Sequence, residues 1–178
     1  MGLIGYLKKM KNANKGAKLL VLGLDCAGKT TILKAVADEE ITNIEPTQGF
    51  NIKSLKVEGV NLAIWDLGGQ KVLREYWSNY FKDTNVLVYV IDAADIGRLK
   101  ESGDELSTLL KEDELKNVPV LIFANKQDLV HAMEPDDITE KLKLDTIEDR
   151  DWMILACSAK KNEGLKEGFE WAIRNMKK

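Results

Sequence analysis

The 178-residue chain has only two cysteines, Cys26 and Cys157, and three prolines. The cysteines lack metal-ligand spacing, which excludes a zinc cluster or a disulfide framework as the organiser of the fold. No apolar run is long enough to span a bilayer, and no signal peptide is expected. Repeats and low-complexity stretches are absent. Net charge is −3, so the global basic signature of nucleic-acid binders is missing. What is present is a length suited to one domain with an ample core.

Apolar runs and helical periods alternate along that length. Strands are predicted at 18–23, 50–57, 60–66, 85–91, 118–124 and 152–157, and helices near 29–37, 98–112, 135–143 and 164–176. Residues 50–57 alternate as a half-buried strand does, and Glu58-Gly59 turns them into 60–66 as an antiparallel hairpin. The expectation is an α/β fold with a six-stranded, mostly parallel sheet carrying one antiparallel edge strand.

The first strand runs into Gly23-Leu24-Asp25-Cys26-Ala27-Gly28-Lys29-Thr30, a full match to the phosphate-binding loop G-x-x-x-x-G-K-[ST]. Backbone N–H groups of such a loop and the following helix amino terminus form a preformed anion site. Lys29 is expected to reach the β- and γ-phosphates of a nucleotide, Thr30 to ligate Mg²⁺, and Thr31 to touch the α-phosphate. Cys26 fills a position that needs only a small side chain. The loop specifies a nucleoside triphosphate and says nothing of the base.

Base choice is read from Asn125-Lys126-Gln127-Asp128, which follows the apolar run 118–124 at the carboxyl edge of the sheet, where open α/β folds bind ligands. Asp128 can accept from both N1–H and the 2-amino group of guanine; adenine would leave those acceptors unmet. Asn125 suits either the O6/N7 side or bracing of the loop, and the Lys126 stem can cover the ring. Ser158-Ala159-Lys160 closes the last strand, and the Ala159 N–H can donate to guanine O6.

Two further segments fit phosphate sensing. Asp66 can reach Mg²⁺, Gly69 can bring its N–H to a γ-phosphate, and Gln70 is placed to orient the attacking water. Thr47, after Glu45-Pro46, would join Mg²⁺ only while the γ-phosphate is present.

With these segments assembled, the whole chain resembles the Ras-like small GTPases, in the ADP-ribosylation factor (Arf and Arf-like) branch. The branch features are Gly-Leu-Asp-x-Ala-Gly-Lys-Thr-Thr at 23–31, Pro-Thr-x-Gly-Phe-Asn at 46–51, Trp-Asp-Leu-Gly-Gly-Gln at 65–70 and Tyr-Trp-x-Asn-Tyr-Phe at 76–81. Residues 47–53 and 148–152 are most similar to the third Arf-like subgroup, with the second a close competitor. The resemblance implies a three-layer P-loop GTPase fold, a GTP/GDP switch with slow intrinsic hydrolysis, and an activating protein acting in trans. No arginine occurs at 41–51, and Arg74 lies in a segment expected to move, so neither segment provides an arginine finger. The resemblance further implies that Phe50, Trp65 and Tyr80 bind effectors and exchange factors. In the third subgroup, the GTP form opens carriers of lipid-modified cargo. A GTP-sensing module with negligible hydrolysis is the alternative, with a P-loop ATPase or kinase behind it; Gln70 weighs against the first, and Asp128 with Ala159 against the second.

Residues 1–16 are expected to form an amphipathic helix and linker, with 17–178 as the nucleotide-binding domain. Residues 1–18 hold five lysines and no acidic residue, and Leu3, Ile4, Leu7 and Met10 share a helical face. That helix suits a membrane interface or a dock on the domain itself, and the resemblance implies alternation between them as the hairpin at 50–66 shifts. Gly2 invites myristoylation, but Tyr6 stands where Ser or Thr is wanted, so none is expected; no prenyl anchor is expected from the cysteine-free carboxyl end. A monomer is expected, cytoplasmic and visiting membrane surfaces, the Golgi, cytoskeleton or cilia.

Overall fold

The structure, a computed structural model, describes residues 16–42, 44–57 and 60–177. The expected amino-terminal helix and the Glu58-Gly59 turn lie outside the described residues. The strands are β1 (Ala17–Leu22), β2 (Phe50–Val57), β3 (Val60–Leu67), β4 (Val86–Asp92), β5 (Val120–Asn125) and β6 (Trp152–Ala156). The helices are α1 (Lys29–Val36), α2 (Lys71–Arg74), α3 (Leu99–Leu110), α4 (Pro135–Leu142) and α5 (Leu165–Asn175). A 3₁₀ turn, Trp77–Tyr80, follows α2. No helix among the described residues is long and apolar enough to cross a membrane.

One six-stranded sheet runs in the order β2-β3-β1-β4-β5-β6, parallel throughout except for the antiparallel β2–β3 edge pair. Period-two alternation divides each inner strand between two cores. Leu19 and Val21 join the cluster that holds Ile32 of α1 and Phe169 of α5. Leu20 and Leu22 join the one that holds Leu106 of α3 and Ile138 of α4. Helices cover both faces, which makes three layers and explains why β1, β4 and β5 read as continuous apolar runs.

Parallel pairing of β1 with β3 aligns Val21 with Asp66, and β4 with β5 aligns Asp92 with Asn125. The carboxyl ends of four strands therefore share one sheet edge. The unexpected element is α2, whose four residues are too few to carry a helical period.

Candidate functional site

Gly28, at φ 97°, turns the chain from the loop after β1 into α1, a backbone region that glycine adopts freely. A Cβ there would also meet Asn125 Nδ2 at 2.3 Å. Behind this turn Lys29 is buried, and its ammonium donates to the Gly23 and Leu24 carbonyls at 2.9 and 2.8 Å. Burial lowers its pKa to about 8 against the opposing pull of Asp66 and Asp25. A phosphate above the loop would favour the charged form. One cleft collects Asp25, Cys26, residues 28–31, residues 44–47, Gly69, Gln70 and Lys126. Every phosphate-sensing segment read from the sequence meets there.

Thr30, Thr47 and Asp66 come from α1, the loop before β2 and the end of β3. Thr30 Oγ1 donates to Asp66 Oδ2 at 2.6 Å and lies 2.9 Å from Thr47 Oγ1; Thr47 Oγ1 in turn reaches Asp66 Oδ2 at 3.3 Å. Asp66 is fully buried, yet its Oδ1 has no hydrogen-bond partner among the described residues. Burial raises its pKa, opposed by the Thr30 hydrogen bond, the Lys29 charge and the Thr47 hydrogen bond. Two hydroxyls and a carboxylate with a free buried oxygen are a hard-oxygen set suited to Mg²⁺.

The base-recognition residues divide their work. Asn125 Nδ2 donates to the Ala27 carbonyl at 2.9 Å, and its Oδ1 accepts from the Ala159 N–H at 3.0 Å. Both bonds realise the bracing role open to Asn125. The Ala159 N–H is therefore held by Asn125 rather than standing free, so donation to guanine O6 would have to be shared with that bond. The Asp128 carboxylate accepts from Ser158 Oγ at 2.7 Å, which holds its pKa below the usual carboxylate range. Lys160 adds a favourable charge nearby. Lys126 sits at φ 70°, strained for a side-chain-bearing residue, with its ammonium 2.6 Å from Asp92 Oδ2.

Two arginines make contacts around Asp25 that the sequence does not foretell. Arg98 donates from Nη1 to Asp25 Oδ1 at 3.0 Å, from Nη2 to the Asp25 carbonyl at 3.1 Å, and from Nε to Asp95 Oδ2 at 2.7 Å. Arg74 donates to the Gly69 carbonyl at 2.9 Å and to Glu101 and Glu105 at 2.7 and 3.0 Å. Its guanidinium is thereby engaged. Both arginines lie beside Asp25, offsetting the carboxylate that this loop places near phosphates. No spacing rule links residues 25, 74 and 98.

The sequence profile of the ADP-ribosylation factor family matches residues 3–176. The chain belongs to the Arf family. It is 57% identical over 177 residues to ADP-ribosylation factor-like protein 3 of Chlamydomonas reinhardtii, covering 99% of this chain and 100% of that protein. It is 50% identical over 179 residues to the Caenorhabditis elegans protein of the same name, covering 99% and 97%. Among solved structures, the Arl6 BBS3 small GTPase of Trypanosoma brucei with bound nucleotide analogue GppNp matches with a TM-score of 0.83 and 31% identity, over 90% of this chain and 99% of that one. As an Arf-family GTPase, the protein binds GTP and GDP with Mg²⁺ and hydrolyses GTP.

Arf-branch aromatics cluster beside the cleft of this GTPase. Phe50 stacks on Trp65 with centroids 6.0 Å apart, and Tyr80 lies 5.3 Å from Phe50 and 5.9 Å from Trp65. Phe50 is 49% exposed, while Trp65 and Tyr80 are partly buried against the core, so the cluster joins the core to the surface through Phe50. Lys18 props it from beneath, its Nζ 4.7 Å from the Trp65 centroid and bonded to the Tyr80 and Lys82 carbonyls.

Proposed function

We propose that the protein is a slow GTP-driven switch that recruits effectors in its GTP form and controls release of lipid-modified cargo. The observation that carries this reading is the contact of Thr47 with Thr30 and Asp66, three residues before exposed Phe50. Loss of the γ-phosphate would free Thr47 and Gly69, and the aromatic cluster would lose its support in an order–disorder transition.

Each residue has a role in this reading. The loop Gly23–Gly28, including Asp25, Cys26 and Ala27, cradles phosphates with Lys29 and Thr31, and Gly69 senses the terminal one. Asp128, Lys126, Ser158, Ala159 and Lys160 take guanine, with Asn125 as brace. Mg²⁺, held by Thr30, Thr47 and Asp66, would offset charge on the phosphate oxygens. Gln70, at the amino end of α2 and lining the cleft, orients water. With Arg74 engaged by Glu101 and Glu105, an activating protein supplies the remaining stabilisation in trans, worth up to about 10⁵-fold.

Effectors, exchange factor and activating protein meet the Phe50, Trp65 and Tyr80 surface, where rigid aromatics make good anchors. Residues 1–16 make reversible membrane contact for the domain at 17–178, and the protein acts as a cytoplasmic monomer at membrane, Golgi, cytoskeletal or ciliary sites. The test is release of a fluorescent farnesylated peptide from a prenyl-binding carrier. Protein loaded with a non-hydrolysable GTP analogue should accelerate release and GDP-loaded protein should not; equal rates would overturn the cargo reading.

A further inference from the structure

Trp77 Nε1 donates to the Gly68 carbonyl at 2.9 Å, with both groups buried. Trp77 is 3% exposed and belongs to the core cluster that includes Leu67 and Phe81. A buried indole N–H needs a partner. Here that partner is the backbone of the loop that senses phosphate.

A trans peptide is planar, so its C=O and N–H point in opposite directions. With the Gly68 carbonyl held toward Trp77, the Gly69 N–H of the same unit faces away from the indole. Gly69 lines the cleft together with Lys29 and Thr47. The neighbouring groups are all engaged. The Gly68 N–H donates to the Gly49 carbonyl at 2.9 Å, and the Gly69 carbonyl accepts from the Asp25 N–H at 3.1 Å and from Arg74 Nε at 2.9 Å. The Gly69 N–H makes no hydrogen bond to another described residue. A Cβ at Gly68 would lie 2.6 Å from the Thr47 carbonyl oxygen, and one at Gly69 would lie 2.4 Å from the Gly23 oxygen. The pair is wedged between the loop before β2 and the phosphate loop.

We infer that Trp77 is the positioning residue for γ-phosphate sensing: its indole N–H locks the Gly68–Gly69 peptide so that the Gly69 N–H is presented to the nucleotide cleft. The inference rests on the reading of that cleft as the GTP site. Without the indole donor the Gly68 carbonyl is left buried and unpartnered, and rotating the peptide to satisfy it withdraws the Gly69 N–H. That loss is felt by a nucleotide with a γ-phosphate and not by GDP. Trp77 thus sets discrimination between the two nucleotides rather than affinity for both.

The test uses the full chain with Trp77→Phe, and with Trp77 replaced by β-(3-benzothienyl)alanine, which keeps the bicyclic shape but has sulfur in place of the N–H. Affinities for GDP and an imido-linked GTP analogue are measured with Mg²⁺ present. In the benzothienyl protein the GTP analogue should bind about tenfold more weakly, the scale of one hydrogen bond to a charged group, with GDP affinity essentially retained. An unchanged ratio of the two affinities in that protein would overturn the role of Trp77. If the wild-type protein binds neither nucleotide, the reading of the cleft itself fails, an outcome distinct from an unchanged ratio.

Discussion

Asn125 donates its side-chain N–H to the Ala27 carbonyl at 2.9 Å, tying together loops that lie 98 residues apart in the chain. One end of that bond belongs to the base-recognition loop and the other to the phosphate loop. The amide thus bridges the two halves of the cleft. Asn125→Asp replaces the donor with a second acceptor facing the Ala27 carbonyl. GTP and GDP affinity should fall together by about tenfold or more, measured by nucleotide dissociation. Loss confined to one nucleotide would contradict the bracing role.

Gln70→Leu removes the side chain proposed to orient water without adding a charge to the cleft. Hydrolysis stimulated by a cell extract should drop by about 10²-fold or more while GTP binding persists. Equal turnover by the two proteins would remove Gln70 from the mechanism.

Asp128→Asn keeps an oxygen for Ser158 Oγ to donate to and presents an amide N–H₂ to the base. Preference should move from GTP toward xanthosine triphosphate, whose 2-oxo group accepts where guanine donates, with GTP affinity falling about 10²-fold. Competition binding with both nucleotides reads the change, and undiminished GTP selectivity counts against the scheme.

Arg98→Ala removes the donor to the Asp25 carbonyl and one donor to its carboxylate, leaving Arg74 as the remaining cation beside it. Arg98 is partly exposed, with a third of its side chain in solvent, so the effect is modest: GDP release faster by about three- to tenfold. A double-mutant cycle with Asp25→Asn should give a non-additive result; strict additivity would mean that the pair does not cooperate.

Cys26 is exposed in the phosphate loop, whereas Cys157 is buried and burial pushes its thiol up to about 12. One equivalent of a maleimide should therefore label the native protein and two the denatured one. Saturating GDP should slow labelling at Cys26. Labelling that is indifferent to GDP would argue that Cys26 does not face the nucleotide.

Much of this was legible in order along the chain. The six strands fall within two residues of the runs that predict them, because continuous apolar stretches mark the doubly covered inner strands and alternation marks the edge hairpin. The phosphate loop was legible because fixed spacing of glycine, lysine and threonine is the requirement itself. Arg74, Arg98 and Trp77 were not, since each acts through a backbone carbonyl or carboxylate distant in sequence that accepts from any well-placed donor. Asn125 was half legible: its residue type suits bracing, and only the approach of Ala27 and Ala159 supplied the partners.

The sequence by itself determined the layers and the phosphate loop, both properties of residue type and near-neighbour spacing. Only the tertiary structure decided which distant groups share a charge or a hydrogen bond. It brought Thr30, Thr47 and Asp66 within contact, set Arg74 and Arg98 beside Asp25, and placed the Trp77 indole on Gly68. The physical reason is strand order. Parallel pairing of β1 with β3 and β4 puts their carboxyl ends on one edge, and loops from remote parts of the chain meet there.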